Sequence, residues 1–157
     1  QFMNININDK WMQEAYRLAI KSYDCDEVPV GCVIVKDNQI IGKGHNEVEK
    51  LTDSTAHAEM IAITSASNHN NDWRLTNTSI YVTKEPCIMC YGAILNSRIE
   101  NLYYGVEDSK LGFRVNIVSI NSLNIHLKNI QSGVLDQKCK SILKDFFINK
   151  RKNNKIK

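Results

Sequence analysis

The first hydrophobic stripe along the chain is Trp11, Ala15, Leu18 and Ala19. Apolar residues three and four apart share one face of a helix, so a helix is expected over about 10–23, with Asp9 available as its cap. VPVGCVIV (28–35) is a near-continuous apolar run, which suits a buried strand. KDNQ (36–39) carries turn chemistry, and IIGKG returns as a second strand. A helix is expected over about 56–67, capped by Asp53, Ser54 or Thr55, followed by a loop at NHNND (68–72). TSIYVT (78–83) is β-branched and aromatic and predicts a strand. Residues 87–96 predict a short helix after Pro86, and NLYYGV (101–106) predicts another strand. Residues 107–124 are mixed, and HLKNIQ (126–131) suits a strand. The last helix is expected over about 134–148, from the helical spacing of Leu135, Cys139, Ile142, Leu143 and Phe146. After an opening hairpin, helices and strands alternate. That order predicts an α/β fold with a mixed sheet and helices on both faces.

The 157 residues amount to one domain, taken as 1–157. With 43% apolar and 24% charged residues the chain reads as soluble and globular. No apolar run approaches the roughly 18 residues of a membrane span. QFMNININDK has neither the basic start nor the apolar segment of a signal peptide. Gln1 and Phe2, ahead of Met3, read as a cloning remnant.

The net charge of +3 is unevenly placed: residues 138–157 hold eight Lys/Arg and one acid, Asp145, giving +7 and leaving −4 for the rest. Such a tail, most concentrated over 150–157, attracts phosphates. Read alone, it suits a solvated helix end equally well. The five cysteines (25, 32, 87, 90 and 139) are odd in number. Without a secretory signal they point to a reducing compartment, the cytoplasm, and to thiols free for a metal.

His57-Ala58-Glu59 and, thirty positions after the histidine, Pro86-Cys87-Ile88-Met89-Cys90 carry the candidate chemistry. At a helix start, two cysteines three apart face the same way and can share one ion. A structural zinc would use four protein ligands. Here there is one Cys-x-x-Cys, and the best third ligand is His57, which leaves a position for water, the mark of a catalytic site. Glu59 is the candidate base. Residues two apart on a regular helix point about 200° apart, so this reading requires the helix to start close to His57. Alone, the cysteine pair could be redox-active or simply buried, and the His-x-Glu could be helix surface. Jointly they match the zinc nucleobase-deaminase signature H-x-E…P-C-x-x-C.

At these residues the chain resembles the cytidine/deoxycytidylate deaminase superfamily, and within it the bacterial tRNA-specific adenosine deaminases. The resemblance runs from about Val28 to Arg151. It includes VPVGCVIV, Gly44-His45-Asn46, TAHAEM (55–60), YVTKEPCIMCYGAI (81–94), YGVEDSKLG (104–112) and DFFINKR (145–151). It implies a three-layer α/β/α sandwich with a mixed sheet of about five strands. It further implies a homodimer, one Zn²⁺ per subunit, and conversion of the wobble adenosine of a tRNA anticodon arm to inosine. Carried over, His57, Cys87 and Cys90 would bind zinc and Glu59 would shuttle protons. Val30, Asn46, Ala58 and Pro86 would line the base pocket, and Asp108, Lys110, Phe146, Phe147 and Arg151 would touch loop nucleotides. Lys84, Ser54 and FRVNI (113–117) depart from the family's pattern, where an apolar residue, a proline and a small pair are usual. Two other functions use the same zinc core: a free-base or nucleotide deaminase of guanine or cytosine type, and a non-catalytic RNA-binding or partner subunit.

Overall fold

The computed structural model describes residues 6–117 and 126–155. The elements run α1 (Ile7–Asp24), β1 (Gly31–Lys36), β2 (Gln39–His45), α2 (Val48–Leu51), α3 (Ala58–Asn70), β3 (Ser79–Lys84), α4 (Ile88–Asn96), β4 (Asn101–Val106), α5 (Phe113–Asn116), β5 (Asn129–Gln131) and α6 (Asp136–Asn154). They build one five-stranded mixed sheet of order β2-β1-β3-β4-β5. β1 is antiparallel to both β2 and β3, and β3-β4-β5 are parallel.

Side chains alternate across this sheet. Cys32, Ile34, Ile80, Val82, Leu102 and Tyr104 pack with Ala58, Ala62 and Ala66 of α3 and with Tyr91 and Ile94 of α4. Val33, Val35 and Tyr81 point the other way, onto Trp11, Met12, Ala15 and Leu18 of α1 and Cys139 of α6. The result is the expected helix–sheet–helix sandwich. The β1–β2 turn uses Asp37 and Asn38, both at positive φ (49° and 58°), the pair of left-handed conformations that lets a two-residue hairpin follow the strand twist.

Several boundaries differ from the sequence reading. Asn6, not Asp9, caps α1, accepting from the Asn8 N–H at 3.0 Å. α3 begins at Ala58, so Asp53, Ser54 and Thr55 are not its cap. Asp53 instead closes a local turn, accepting from the Thr55 N–H and hydroxyl at 2.8 and 2.7 Å. α3 also runs on to Asn70 and stops at Asn71 in the left-handed region, so the NHNND segment is largely helix rather than loop. α6 continues to Asn154, six residues past the expected end, which makes most of the basic tail helical. α2 and α5 were not foreseen. Of the mixed stretch 107–124, residues 118–124 lie outside the described residues.

Candidate active site

The metal-ligand candidates stand at two helix starts on the same face of the sheet. His57 is the N-cap of α3 and Cys87 the N-cap of α4, both in extended conformation and neither giving a side-chain capping bond. Cys90 lies buried in the first turn of α4. Gly44 lets α3 approach β2: a Cβ there would stand 2.2 Å from the Ala58 carbonyl oxygen, at the start of the helix that carries His57 and Glu59.

The three side chains converge. His57 Nδ1 lies 3.6 Å from Cys87 Sγ and 3.5 Å from Cys90 Sγ, and all three ligand atoms fall within 4.8 Å of one another. Tetrahedral coordination with metal–nitrogen and metal–sulfur bonds of about 2.1 and 2.3 Å puts such atoms about 3.6 Å apart, so this donor set fits a tetrahedral ion. Hydrogen bonding by Cys90, with help from His57, outweighs burial and holds the Cys87 thiol at about 3. The same bond and burial push Cys90 up, and the Cys87 bond raises His57. The pair therefore keeps Cys87 as a thiolate, the form that binds metal.

Glu59 is buried at the first turn of α3, where burial pushes its carboxyl above the ordinary carboxylate range. A cavity of about 460 Å³ opens beside it, lined by Val30, Asn46, His57, Ala58, Glu59 and Cys87, among others. Asn46 Nδ2 donates to the Val28 carbonyl at 3.2 Å. Its Oδ1 is, among the described residues, the one buried side-chain polar atom without a hydrogen-bond partner.

The other sequence-nominated residues lie as follows. Pro86 is buried but does not line the cavity, and its carbonyl accepts from the Phe113 N–H at 2.9 Å. Phe146 and Phe147 both line it; Phe146 is 6% exposed and packs edge-on against Tyr23, while Phe147 is 45% exposed. Lys110 and Arg151 are exposed and, like Asp108, outside the lining. Asp108 is held locally, its Oδ1 accepting from the N–H groups of Lys110 and Leu111 at 2.9 and 3.0 Å and its Oδ2 meeting the Lys84 ammonium.

The lining adds Lys84, Leu111 and Lys150, which the sequence reading did not assign to the site. Lys150 was within reach of helical periodicity: it sits four residues after Phe146 and three after Phe147, on the face they share. Lys84 stood out only as a departure from the family pattern. No helix among the described residues is long and apolar enough to cross a membrane.

A sandwich of this order, with a histidine and two cysteines at paired helix starts and a buried carboxylate beside them, defines a nucleobase deaminase. The MafB19-like deaminase family model matches residues 6–151. The chain is 43% identical to a tRNA-specific adenosine deaminase of Streptococcus pyogenes serotype M3, over 93% of this chain and 86% of that protein. It is 41% identical to one from Buchnera aphidicola subsp. Schizaphis graminum, over 95% and 99%. A solved tRNA:A34 deaminase, studied for A-to-I editing at the wobble position of transfer RNA, superposes with a TM-score of 0.78 at 34% identity, covering 85% of this chain and 99% of that one. Guanine deaminase from Bacillus subtilis gives 0.60 at 37% identity, over 63% and 64%. The chain belongs to the tRNA-specific adenosine deaminase family of the deaminase fold.

Proposed function

We propose that the chain is a zinc-dependent hydrolase that converts adenosine to inosine at the wobble position of a tRNA anticodon loop, acting in the cytoplasm as a homodimeric single-domain enzyme. The observation that carries this reading is the buried Glu59 carboxylate beside the His57–Cys87–Cys90 donor set, in a cavity whose wall includes Phe146, Phe147 and Lys150 of the basic helix α6. Two thiolates and an imidazole are the donors a catalytic zinc takes in this chemistry. Zinc held there supplies Lewis acidity and makes water nucleophilic near neutral pH.

The protein's own residues do the rest. Glu59 takes a proton from the attacking water and delivers it to N1 of the adenine ring. It then helps protonate the departing amine, so that adenosine and water give inosine and ammonia. Burial keeps its proton affinity high enough for that exchange. The first amides of α3 and α4 offset part of the thiolate charge. Asn46 Oδ1 is placed to accept from the bound nucleoside. The target base must leave its stack, which costs less in a single-stranded loop than in a duplex, and splayed bases stack on aromatic side chains such as Phe147. Support for a dimer comes from exposed apolar Ile88, Leu111 and Val115, on elements joined by the Cys87–Gly112 bridge.

The deciding experiment offers the zinc-loaded protein an anticodon hairpin bearing adenosine, and separately free guanine, cytidine and dCMP. Inosine in the hairpin is the expected result. Ammonia from a free base or nucleotide with none from the hairpin would replace this reading with the free-base one, which the likeness to guanine deaminase favours.

A further inference from the structure

The cavity wall includes the carboxylates of Asp26, Glu27, Glu49, Glu59 and Glu85. Lys150 pairs with Asp26 and Arg114 with Glu85, Glu49 is exposed, and Glu59 carries the proposed chemistry. Glu27 is 2% exposed and that chemistry does not use it. A carboxylate taken out of water has to be answered by hydrogen bonds, so its partners show what it does.

Glu27 Oε1 accepts from the backbone N–H of Lys50 at 2.7 Å. Lys50 is the third residue of α2, and its N–H is one of the amides that a helix start leaves open. The N-cap residue, Glu47, makes no side-chain capping bond; its carboxylate goes to the Lys50 ammonium at 3.0 Å instead. Glu27 therefore closes the first turn of α2 from outside it. Glu27 is itself anchored, its N–H donating at 2.9 Å to the carbonyl of Ser22, a buried residue of α1. The same residue holds the other end of the segment: Ser22 Oγ donates to the Asn46 carbonyl at 2.9 Å. Asn46, Val48 and Glu49 all belong to the cavity wall. The stretch 46–50 is thus pinned to the end of α1 twice, at Asn46 by Ser22 and at Lys50 by Glu27.

We infer that Glu27 is a positioning residue for the substrate: by accepting from the Lys50 amide it holds the Val48–Glu49 wall at the depth that Asn46 sets. This rests on the adenosine-deaminase reading given above. It differs from a second acid–base carboxylate beside Glu59 and from a charge that repels phosphate. Both of those need the negative charge, whereas a pin needs an acceptor oxygen at the right reach.

Two variants of the full-length, zinc-loaded enzyme separate charge from reach. Glu27→Gln keeps an acceptor oxygen at the same reach and drops the charge. Glu27→Asp keeps the charge and withdraws it by one carbon–carbon bond, about 1.5 Å, out of hydrogen-bond range of the Lys50 amide. The readouts are kcat and KM on the adenosine hairpin, hairpin binding by anisotropy, and exchange of the Lys50 amide proton by NMR. Glu27→Asp should raise KM and the dissociation constant by about tenfold, keep kcat within about twofold, and speed Lys50 exchange by about tenfold. Glu27→Gln should stay within about threefold of the parent throughout. A contact that only stabilised the fold would lower the active fraction, and with it the apparent kcat, and leave KM where it was. Glu27→Gln no better than Glu27→Asp, a fall in kcat in place of the rise in KM, or a KM or Lys50 exchange rate unmoved in Glu27→Asp would each overturn the inference. A parent enzyme that binds the hairpin but leaves its adenosine intact sinks the proposed function, and the binding and exchange comparison then decides on Glu27. One that does not bind the hairpin overturns both.

Discussion

Glu59 and Asp108 are both carboxylates, and their surroundings push them in opposite directions. Burial dominates at Glu59 and raises its proton affinity. Burial acts on Asp108 as well, but the Leu111 amide, the Lys84 ammonium and the Lys110 amide together outweigh it and hold the group at about 2, below its ordinary 3.8. Removing the Glu59 carboxylate takes away a general acid–base worth roughly 10²–10⁴ in rate. Glu59→Ala should therefore lose about 10³ in turnover while keeping its metal by atomic absorption; near-parental turnover would remove Glu59 from the chemistry. The Asp108 effect belongs to stability. A group whose folded value is depressed favours the native state fully above its ordinary value, and that contribution fades as pH falls through the folded value. Urea midpoints of the parent should drop between about pH 4 and pH 2 more steeply than those of Asp108→Asn. Parallel curves would mean that Asp108 does not couple proton uptake to unfolding.

Among the elements, the two helices that carry the ligands both begin on residues that do no capping. His57 and Cys87 occupy positions where Ser, Thr, Asp or Asn would close the first amides, and neither makes a side-chain capping bond. Capping rules applied to the sequence therefore point upstream of His57, to 53–55, and start α3 too early. Local rules give way where side chains are committed elsewhere. The strands fared better because their apolar runs are bounded by turn chemistry: 101–106 is β4 from end to end. Charge obscures the end of α6, since a Lys/Arg-rich stretch with asparagines reads as tail. In the structure the helix persists to Asn154 and brings Lys150 to the cavity. Truncation after Asn149 removes Lys150, Arg151, Lys152, Lys155 and Lys157, together with the Asp26 pairing. Binding of the anticodon hairpin should weaken, and its log–log salt slope should flatten by about 0.7 for each phosphate that is no longer neutralised. An unchanged slope would make the tail a solvated helix end and nothing more.

At the scale of the whole molecule, the metal-ligand set was legible from the sequence because its spacing is chemical, whereas the cavity wall was not. Lys84, Leu111 and Lys150 come from the end of β3, the loop after β4 and α6, and only the packed sandwich brings them together. The same packing makes the donor set a cross-link. His57 and Cys87, thirty residues apart, belong to the starts of α3 and α4, which both pack on one face of the sheet, and an ion between them would tie the two helices in the folded state alone. Ligands that bind only the native state stabilise it by mass action, about 4 kcal/mol at a free concentration a thousand times the dissociation constant. For a chain of this length 1 kcal/mol moves the midpoint by roughly 2–4 °C, so stripping the metal with a chelator should lower Tm by about 10 °C. Adding zinc back should restore it, and Cys87→Ser should melt low and respond little to either treatment, because one thiolate and an imidazole close a much weaker site. If the parent's Tm is indifferent to chelation while the metal demonstrably leaves, the ion does not bridge α3 and α4, and the two helix starts are held together by the sheet beneath them instead.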